Sequence, residues 1–118
     1  MAKETYANAK LSFENDFYKD SNNRSYYVIF YAIKAVLALE AIDFKRHKDA
    51  VAYFNKNYIA TEIFSKTLGK KISKAKIVRE AGDYNDFYIF TKEEAKEQLE
   101  TALEMLEQVE KYLIKVFM

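Results

Sequence analysis

The sequence predicts an all-α protein, built as an up-and-down antiparallel bundle of four to five helices with one or two short extra helices. The 118 residues include no proline and only two glycines, a composition that suits a nearly all-helical chain. Apolar residues recur at intervals of three and four through several long segments, as they do on one face of an α-helix. We expect residues 1–118 to form a single domain, because this length is typical of one hydrophobic core.

The composition excludes several classes of protein and of site. Half of the residues are hydrophobic, which argues against disorder. The absence of cysteine excludes a disulfide framework and a thiolate zinc site, and a single histidine excludes a histidine-rich metal site, so we expect neither metal nor cofactor. The net charge of +1 gives no overall case for nucleic-acid binding, so an RNA contact would need a local patch. The start of the chain lacks the apolar run of a signal peptide, and we expect a cytoplasmic location.

The first helix is predicted over about residues 3–18, where apolar residues recur at intervals of three or four. They are Tyr6, Ala9, Phe13 and Phe17. A polar, turn-forming segment follows at residues 19–23, in which Ser21 or Asn22 can cap the next helix. A connection this short makes the first two helices antiparallel neighbours.

The central helix of the bundle is predicted at residues 23–42, which read NRSYYVIFYAIKAVLALEAI. Apolar residues occupy nearly every side of this helix, as expected where a helix is packed on several sides. A membrane span is the alternative for such a run, but Lys34 and Glu40 are costly in hydrocarbon. We therefore expect a central helix of a water-soluble bundle and no membrane contact.

One face of this central helix is polar. Arg24, Tyr27, Tyr31 and Lys34 follow at spacings of three, four and three residues and so line up as a stripe, with Asn23 beside its start. Arg24 and Tyr31 lie roughly 10 Å apart along the axis and point almost the same way, so a guanidinium and a phenol could converge on one group. In the purely structural alternative, Arg24 caps or pairs locally and the tyrosines pack with their hydroxyls at the rim.

The middle of the chain is predicted to contain shorter helices. After a break, His47 or a neighbour begins a short helix that runs to about residue 59. Residues 61–71 form another helical segment, with Gly69 placed for a left-handed helix end, and Ser73 starts the next helix. Residues 82–90 are predicted as a frayed helix end followed by a loop that packs its aromatic side chains.

The last helix is predicted to begin at a capping box formed by Thr91 and Glu94 and to run to the C-terminus. Glutamate and lysine flank its apolar seam throughout, which is typical of a solvated outer face. The seam consists of Ala95, Leu99, Ala102, Leu106, Val109, Leu113 and Val116.

Two further groups of residues could carry chemistry, although no glycine-rich phosphate loop and no recognised nucleophile motif is present. His47 stands between two basic residues at a helix start, where the structural alternative is a loop histidine near a cap. Arg79 and Asp83, with Tyr84 next to them, have the spacing of an ion pair on a helix. The structural alternative there is a pair that fixes a helix end.

Three stretches, in this order, resemble the HEPN family, in particular its short stand-alone prokaryotic members. They read NRSYYVIFYAIKAVL at residues 23–37, RHKDAVAYF at residues 46–54 and REAGDY at residues 79–84, and a long amphipathic last helix follows. The resemblance covers nearly the whole chain. It implies a bundle of four or five helices, a homodimer, and partnership with a minimal nucleotidyltransferase in a toxin–antitoxin-like pair.

The resemblance also implies a site. Active HEPN members are metal-independent RNases whose signature is an arginine, four to six residues, and then a polar residue that is usually histidine. Arg24 matches the arginine, and after six intervening residues this chain has Tyr31. In a variant of the signature with histidine after four residues and tyrosine two further on, Tyr31 matches the tyrosine, but Ile29 occupies the histidine position. Tyrosine, with an ordinary pKa of about 10, is a poor base, whereas histidine titrates near neutrality.

Three interpretations of function remain open at this point. In the first, the chain binds a nucleotide or RNA and works with a nucleotidyltransferase, with its RNase activity weakened or lost. The contacting residues would then be Asn23, Arg24, Tyr27, Tyr31 and Lys34. In the second, it is an active RNase toxin in which Tyr31 or His47 replaces the usual histidine beside Arg24. In the third, it is a structural interaction module. In the family, dimerisation brings the polar faces of two central helices into a shared cleft.

Overall fold

The computed structural model describes residues 2–85 and 87–117, and it confirms the all-α prediction. Five α-helices are present in these ranges: α1 (Ala2–Glu14), α2 (Tyr18–Ala38), α3 (His47–Phe54), α4 (Lys66–Tyr84) and α5 (Lys92–Phe117). A π-helical turn, Asn55–Ile59, continues α3 directly. The described part of the chain contains no strand, and none of its helices is long and apolar enough to cross a bilayer.

Helix α2 is the centre of the bundle, because it contacts all four other helices. Val28, Ile33 and Val36 are completely buried along it, against Phe54 of α3 and the apolar faces of α4 and α5. Complete burial of one such aliphatic side chain contributes about 1.5–3 kcal/mol. The hydrophobic positions of this one helix therefore supply much of the driving force for the bundle.

The connection between α1 and α2 lies earlier than predicted. The turn is at residues 15–17, where Asp16 has a positive φ of 65°, so residues 19–23 belong to α2. Ser21 and Asn22 are buried and cap nothing. Instead, the Ser21 hydroxyl donates to the Ala9 carbonyl of α1 over 2.8 Å. Small polar residues favour turns because their side chains can bond to the backbone, but they also allow two helices to pack closely. Ser21 serves the contact between α1 and α2.

The position of Phe17, next to this connection, also differs from the prediction. Phe17, expected on the buried stripe of α1, precedes α2 and is 65% exposed.

The C-terminal end of α2 also lies earlier than predicted. Helix α2 ends at Ala38, before the predicted residue 42, and Ala41 has a positive φ of 56°. Residues of α3 and of the π-helical turn hold the turn after α2 in place, because Glu40 accepts hydrogen bonds from Tyr53 (3.1 Å) and Tyr58 (2.5 Å).

The predicted helix end at Gly69 and the predicted helix start at Ser73 are both wrong, because both residues lie inside α4. This helix begins instead at Lys66 and is capped by Ser65, whose side chain accepts a hydrogen bond from the Leu68 amide. Gly69 has no positive φ. A Cβ there would lie 2.6 Å from Cγ2 of Ile59 in the π-helical turn, so the glycine serves close packing of two segments.

The C-terminal region matches the predicted pattern more closely. The Thr91 and Glu94 capping box is present in both directions: the Glu94 amide donates to Thr91 Oγ1 over 3.1 Å, and the Thr91 amide donates to Glu94 Oε1 over 3.2 Å. The start of the α5 seam is buried, but Leu106 and Leu113 are only partly covered and Val116 is 49% exposed. The apolar seam thus runs past the part of α5 that the bundle covers.

The loop before α5 packs only some of its predicted aromatic residues. Phe90 is buried against Gly82, which leaves room for its ring, and Tyr88 packs on Phe90. Phe87 and Ile89 are almost fully exposed. Part of the predicted segment, residue 86, lies outside the described residues.

We expect Gly69→Ala to destabilise the fold, although alanine is the better helix former. Helix propensity favours alanine by about 1 kcal/mol. Overpacking of a dense core costs about 1–3 kcal/mol, and the new methyl group would meet Ile59. We expect the free energy of unfolding in urea to fall by about 1 kcal/mol.

Two variants test the cause of this loss. Ser73→Ala, at an exposed position of the same helix, should leave stability unchanged or raise it by a few tenths of a kcal/mol. In an Ile59→Ala background, Gly69→Ala should no longer be destabilising. A stabilising effect of Gly69→Ala in the native background would contradict the packing role.

A candidate ligand-binding face on helix α2

The polar stripe of α2 lies on a side of this helix that its neighbours cover only in part. The Arg24 and Lys34 side chains are 43% and 41% exposed, and Tyr27 and Tyr31 are partly exposed. Asn23, beside the start of the stripe, is also only partly covered. The last helix therefore does not seal this face, and a ligand can reach it.

Arg24 is held by a local ion pair at the beginning of the stripe. Its Nε donates to Oδ2 of Asp20, one turn earlier, over 2.7 Å. Asp20 also accepts a hydrogen bond from the Ser12 hydroxyl of α1 over 2.5 Å. These hydrogen bonds, that from Ser12 foremost, hold the pKa of Asp20 below its usual range. The guanidinium is thus held by an ionised carboxylate that is itself hydrogen-bonded to α1.

Tyr27 is the residue at which helices α2, α3 and α4 meet. Its ring lies 6.1 Å from that of Tyr31 and 5.8 Å from the imidazole of His47, centroid to centroid. The guanidinium of Arg79, from α4, lies 5.4 Å from the centre of the Tyr27 ring and 4.8 Å from that of Tyr26. The sequence predicted these groups as separate constellations, and the structure brings them together.

His47 is the first residue of α3 and stacks on Phe30 of α2, with 3.8 Å between the ring centres and 24° between the planes. Burial lowers the pKa of His47, and the positive charges of Arg79 and Lys34 lower it further. The imidazole is therefore neutral at pH 7, which is the form that can accept a proton.

The cations around Tyr27 have weak partners. Arg79 Nη2 lies 3.5 Å from the Tyr27 hydroxyl, and Arg79 Nη1 lies 3.6 Å from Oδ2 of Asp83. Both distances exceed those of strong hydrogen bonds. Lys34 pairs with the exposed Asp43 over 3.1 Å. Tyr84, the third member of the group predicted with Arg79, is 86% exposed.

A groove of about 800 Å³ adjoins the C-terminal half of the stripe. Tyr31 and Lys34 form part of its wall, together with Ala35 of α2 and with Leu106 and Leu113 of α5. The groove was not predicted from the sequence. The sequence feature that could have predicted this groove is the apolar seam of α5, because the seam continues beyond the part of α5 that the bundle covers.

The chain is similar in sequence to known proteins. The HEPN domain family matches residues 1–112. A protein of Thermotoga maritima named "UPF0332 protein" is 31% identical over 112 residues, which cover 95% of this chain and 85% of the relative. Two Methanocaldococcus jannaschii proteins, each named "Putative toxin", are 32% and 28% identical. Their alignments cover 86% and 98% of this chain, and 69% and 86% of the relatives.

We expect His47 to titrate below the ordinary histidine pKa of about 6.5, because burial and two nearby cations disfavour its charged form. The chain contains one histidine, so the imidazole proton signals in a ¹H NMR spectrum of the untagged protein need no assignment. Arg79→Gln should raise this pKa, since it removes one cation, and burial should still keep it below the ordinary value.

The matched control is Lys70→Gln, which removes a positive charge from an exposed position of the same helix and should leave the His47 pKa unchanged.

The lowered pKa of His47 also makes the stability of the fold depend on pH. The unfolded chain takes up a proton on His47 at a higher pH than the folded chain does. The contribution of His47 to the free energy of unfolding is therefore at its full value above the ordinary pKa and decreases as the pH falls below that value. A His47 pKa at or above the ordinary value in the native protein would contradict the described packing.

Proposed function

The chain belongs to the HEPN family, and from this premise we propose that it binds a nucleotide or RNA through the polar stripe of α2. In this proposal its RNase activity is weakened or lost, and it works with a minimal nucleotidyltransferase in a toxin–antitoxin-like pair. The observation that carries the proposal is the open stripe, where Tyr27 and Tyr31 lie side by side between the cations Arg79 and Lys34.

The chemistry of this face suits a ligand with both bases and phosphates. Aromatic side chains stack on nucleic-acid bases with little dependence on base identity, at about 1–3 kcal/mol per base. Arginine binds phosphate through paired N–H donors, and lysine acts as a point charge. The face offers both features over a short distance, which supports a nucleotide or a short stretch of single-stranded RNA as the ligand.

The RNase activity is proposed to be weak because α2 carries no imidazole on the stripe. Of the two signature positions that would hold histidine, Ile29 is 1% exposed and belongs to the core. Tyr31 reaches the open face, but tyrosine is a poorer base than the histidine usual in the signature. Cleavage by attack of the 2′-hydroxyl needs a base at this step, so binding without brisk cleavage is the expected outcome.

An active metal-independent RNase is the second candidate, and one observation favours it. His47 contacts the ring of Tyr27, and its lowered pKa keeps the imidazole neutral at pH 7. It would then serve as the base that the signature lacks, with Arg24 or Arg79 as the cation for the phosphate. A purely structural interaction module is the third candidate, and it would bind neither RNA nor nucleotide.

The partnership with a nucleotidyltransferase is proposed from the family and from the names of the relatives. Two relatives carry the words "Putative toxin" in their names, which is compatible with a role in a two-component pair. A gene for a small nucleotidyltransferase next to the gene for this chain would support the pairing.

We also propose a homodimer, in which the groove beside the stripe receives a second copy of the chain. Ala35 is small and exposed, and Leu106 and Leu113 leave apolar surface open on the opposite wall. A helix of a second copy could enter there, and the stripes of two subunits would then line one cleft, with the cations of both. A doubled set of arginines would concentrate positive charge in a chain that is nearly neutral overall.

RNA binding and cleavage by the purified chain test the main proposal. We expect a fluorescently labelled single-stranded RNA to bind and to be degraded slowly at most. Arg24→Gln should weaken binding by about tenfold, since a hydrogen bond to a charged group contributes about 1.5–3 kcal/mol. Tyr31→Phe should retain stacking and lose only the phenol hydrogen bond, and Lys10→Gln, on the exposed side of α1, is the matched charge control.

Each alternative has a distinct result in the same assay. Brisk degradation that is lost in His47→Gln and in Arg24→Gln would establish the active RNase and contradict the weakened one. Failure to bind either RNA or adenosine 5′-monophosphate would leave only the structural module.

The dimer is tested by Ala35→Glu, which puts a carboxylate into the apolar groove. We expect the dimer dissociation constant in sedimentation velocity to rise by at least about tenfold, because an unpaired charge at a buried position costs several kcal/mol. Ala52→Glu, at an exposed position of α3, should have no effect. A native chain that is monomeric at all concentrations, or an Ala35→Glu variant with native affinity, would refute this interface.

A further inference from the structure

Three positive or protonatable groups from three different helices converge at the stripe of α2. Lys34 belongs to α2, His47 to α3 and Arg79 to α4. Both Lys34 and Arg79 act electrostatically on His47, so the three groups face a common region around Tyr27 and Phe30. This convergence lies within one subunit and does not depend on the arginine of the α2 signature.

The carboxylates near these cations are poor competitors for them. Asp83 contacts Arg79, whose side chain is 24% exposed, only over a long distance of 3.6 Å. Asp43 contacts Lys34 with its side chain 75% exposed, and exposed ion pairs contribute about 0–1 kcal/mol because water screens them. An incoming phosphate would displace such partners at little cost.

Arg79 is held in place without satisfying its hydrogen-bond donors. Its guanidinium lies over the rings of Tyr26 and Tyr27, which restrain its position. Its two Nη contacts, to the Tyr27 hydroxyl and to Asp83, are at 3.5 and 3.6 Å. Its Nε is buried and has no hydrogen-bond partner among the described residues. The two Nη groups, which make only long contacts, are therefore the donors that an anion would engage, and a pre-positioned cation gains more from an anion than one that is already paired.

Arg24 provides the contrast. Its Nε already makes a short, charge-assisted hydrogen bond of 2.7 Å to Asp20. Asp20 is in turn anchored to α1 by Ser12. A phosphate at Arg24 has to compete with this carboxylate, whereas at Arg79 it competes with a long contact. The comparison favours α4, and not the start of α2, as the source of the principal phosphate-binding arginine.

We propose that Arg79 and His47 form a phosphate subsite within a single subunit, which holds a phosphate of a nucleotide or of single-stranded RNA while the base stacks on Tyr27 or Tyr31. The proposal deepens the proposed function and rests on it, since it takes a nucleotide or RNA as the ligand. Arg79 then acts as a binding residue, and its pairing with Asp83 describes the ligand-free state.

The test uses adenosine 5′-monophosphate and adenosine as probes, with the untagged full chain. The shift of the His47 imidazole protons in ¹H NMR reports binding next to Tyr27. We expect adenosine 5′-monophosphate to shift these signals and to bind more tightly than adenosine. Arg79→Gln should weaken binding of the phosphate-bearing probe by about tenfold and leave binding of adenosine unchanged. Arg79→Lys should recover only part of the affinity, because lysine lacks the planar pair of donors.

A second variant keeps the test informative if Arg79→Gln folds poorly. Asp83→Asn removes the carboxylate that competes for Arg79 at an exposed position, so we expect it to tighten binding of adenosine 5′-monophosphate severalfold. Lys70→Gln, which lies on the exposed side of α4, should change nothing. The dimer-interface variant Ala35→Glu should retain the binding, because the subsite lies within one subunit.

The outcomes separate this inference from the function on which it rests. If the native chain binds neither adenosine 5′-monophosphate nor RNA, the proposed function fails. If it binds them and both Arg79→Gln and Asp83→Asn leave the affinity unchanged while Arg24→Gln reduces it, the subsite at Arg79 is refuted and the proposed function stands. Loss of binding in Ala35→Glu would refute the assignment to a single subunit.

Discussion

The burial of α2 on every side but one is the constraint on which the rest of the structure depends. Four helices contact it, and residues such as Val28, Ile33 and Val36 are inaccessible to water. From Arg24 onwards the charged side chains of this helix therefore lie on the open side, because burying a charge without a partner would cost several kcal/mol, whereas the small polar residues Ser21, Asn22 and Ser25 are buried. The bundle thus concentrates two tyrosines, a lysine and an arginine on one narrow face, and α3 and α4 deliver their own polar residues to its edge.

The sequence allowed the fold class, the central helix and the stripe to be predicted, because these depend on helical periodicity alone. The capping box at Thr91 was predictable for a similar reason, since it involves residues three apart. The boundaries at Ser21 and Gly69 were not. Both residues favour turns locally, but each serves close approach of a distant segment here, and such contacts leave no mark in neighbouring residues. Serine at a helix contact and serine at a cap look the same in the sequence.

The candidate site shows the same division. The members of the α2 stripe could be grouped from their spacing, whereas the approach of His47 and Arg79 could not. These residues are 32 positions apart in the chain. Only the packing of α3 and α4 on α2 brings both to the ring of Tyr27. The net charge was similarly uninformative: α4 carries six basic and two acidic residues and α5 carries four basic and seven acidic residues, so opposite charges are segregated onto neighbouring helices.

Tyr31 and Lys34 belong both to the stripe and to the wall of the apolar groove, so the two surfaces share these side chains. A molecule bound to one surface would therefore change the side chains available on the other. In the proposed function, thermodynamic linkage requires this influence to be mutual: a ligand on the stripe would alter self-association by the same factor by which self-association would alter the affinity for the ligand. A change in the rotamers of Tyr31 and Lys34 would suffice to couple ligand binding to self-association, without any movement of the backbone.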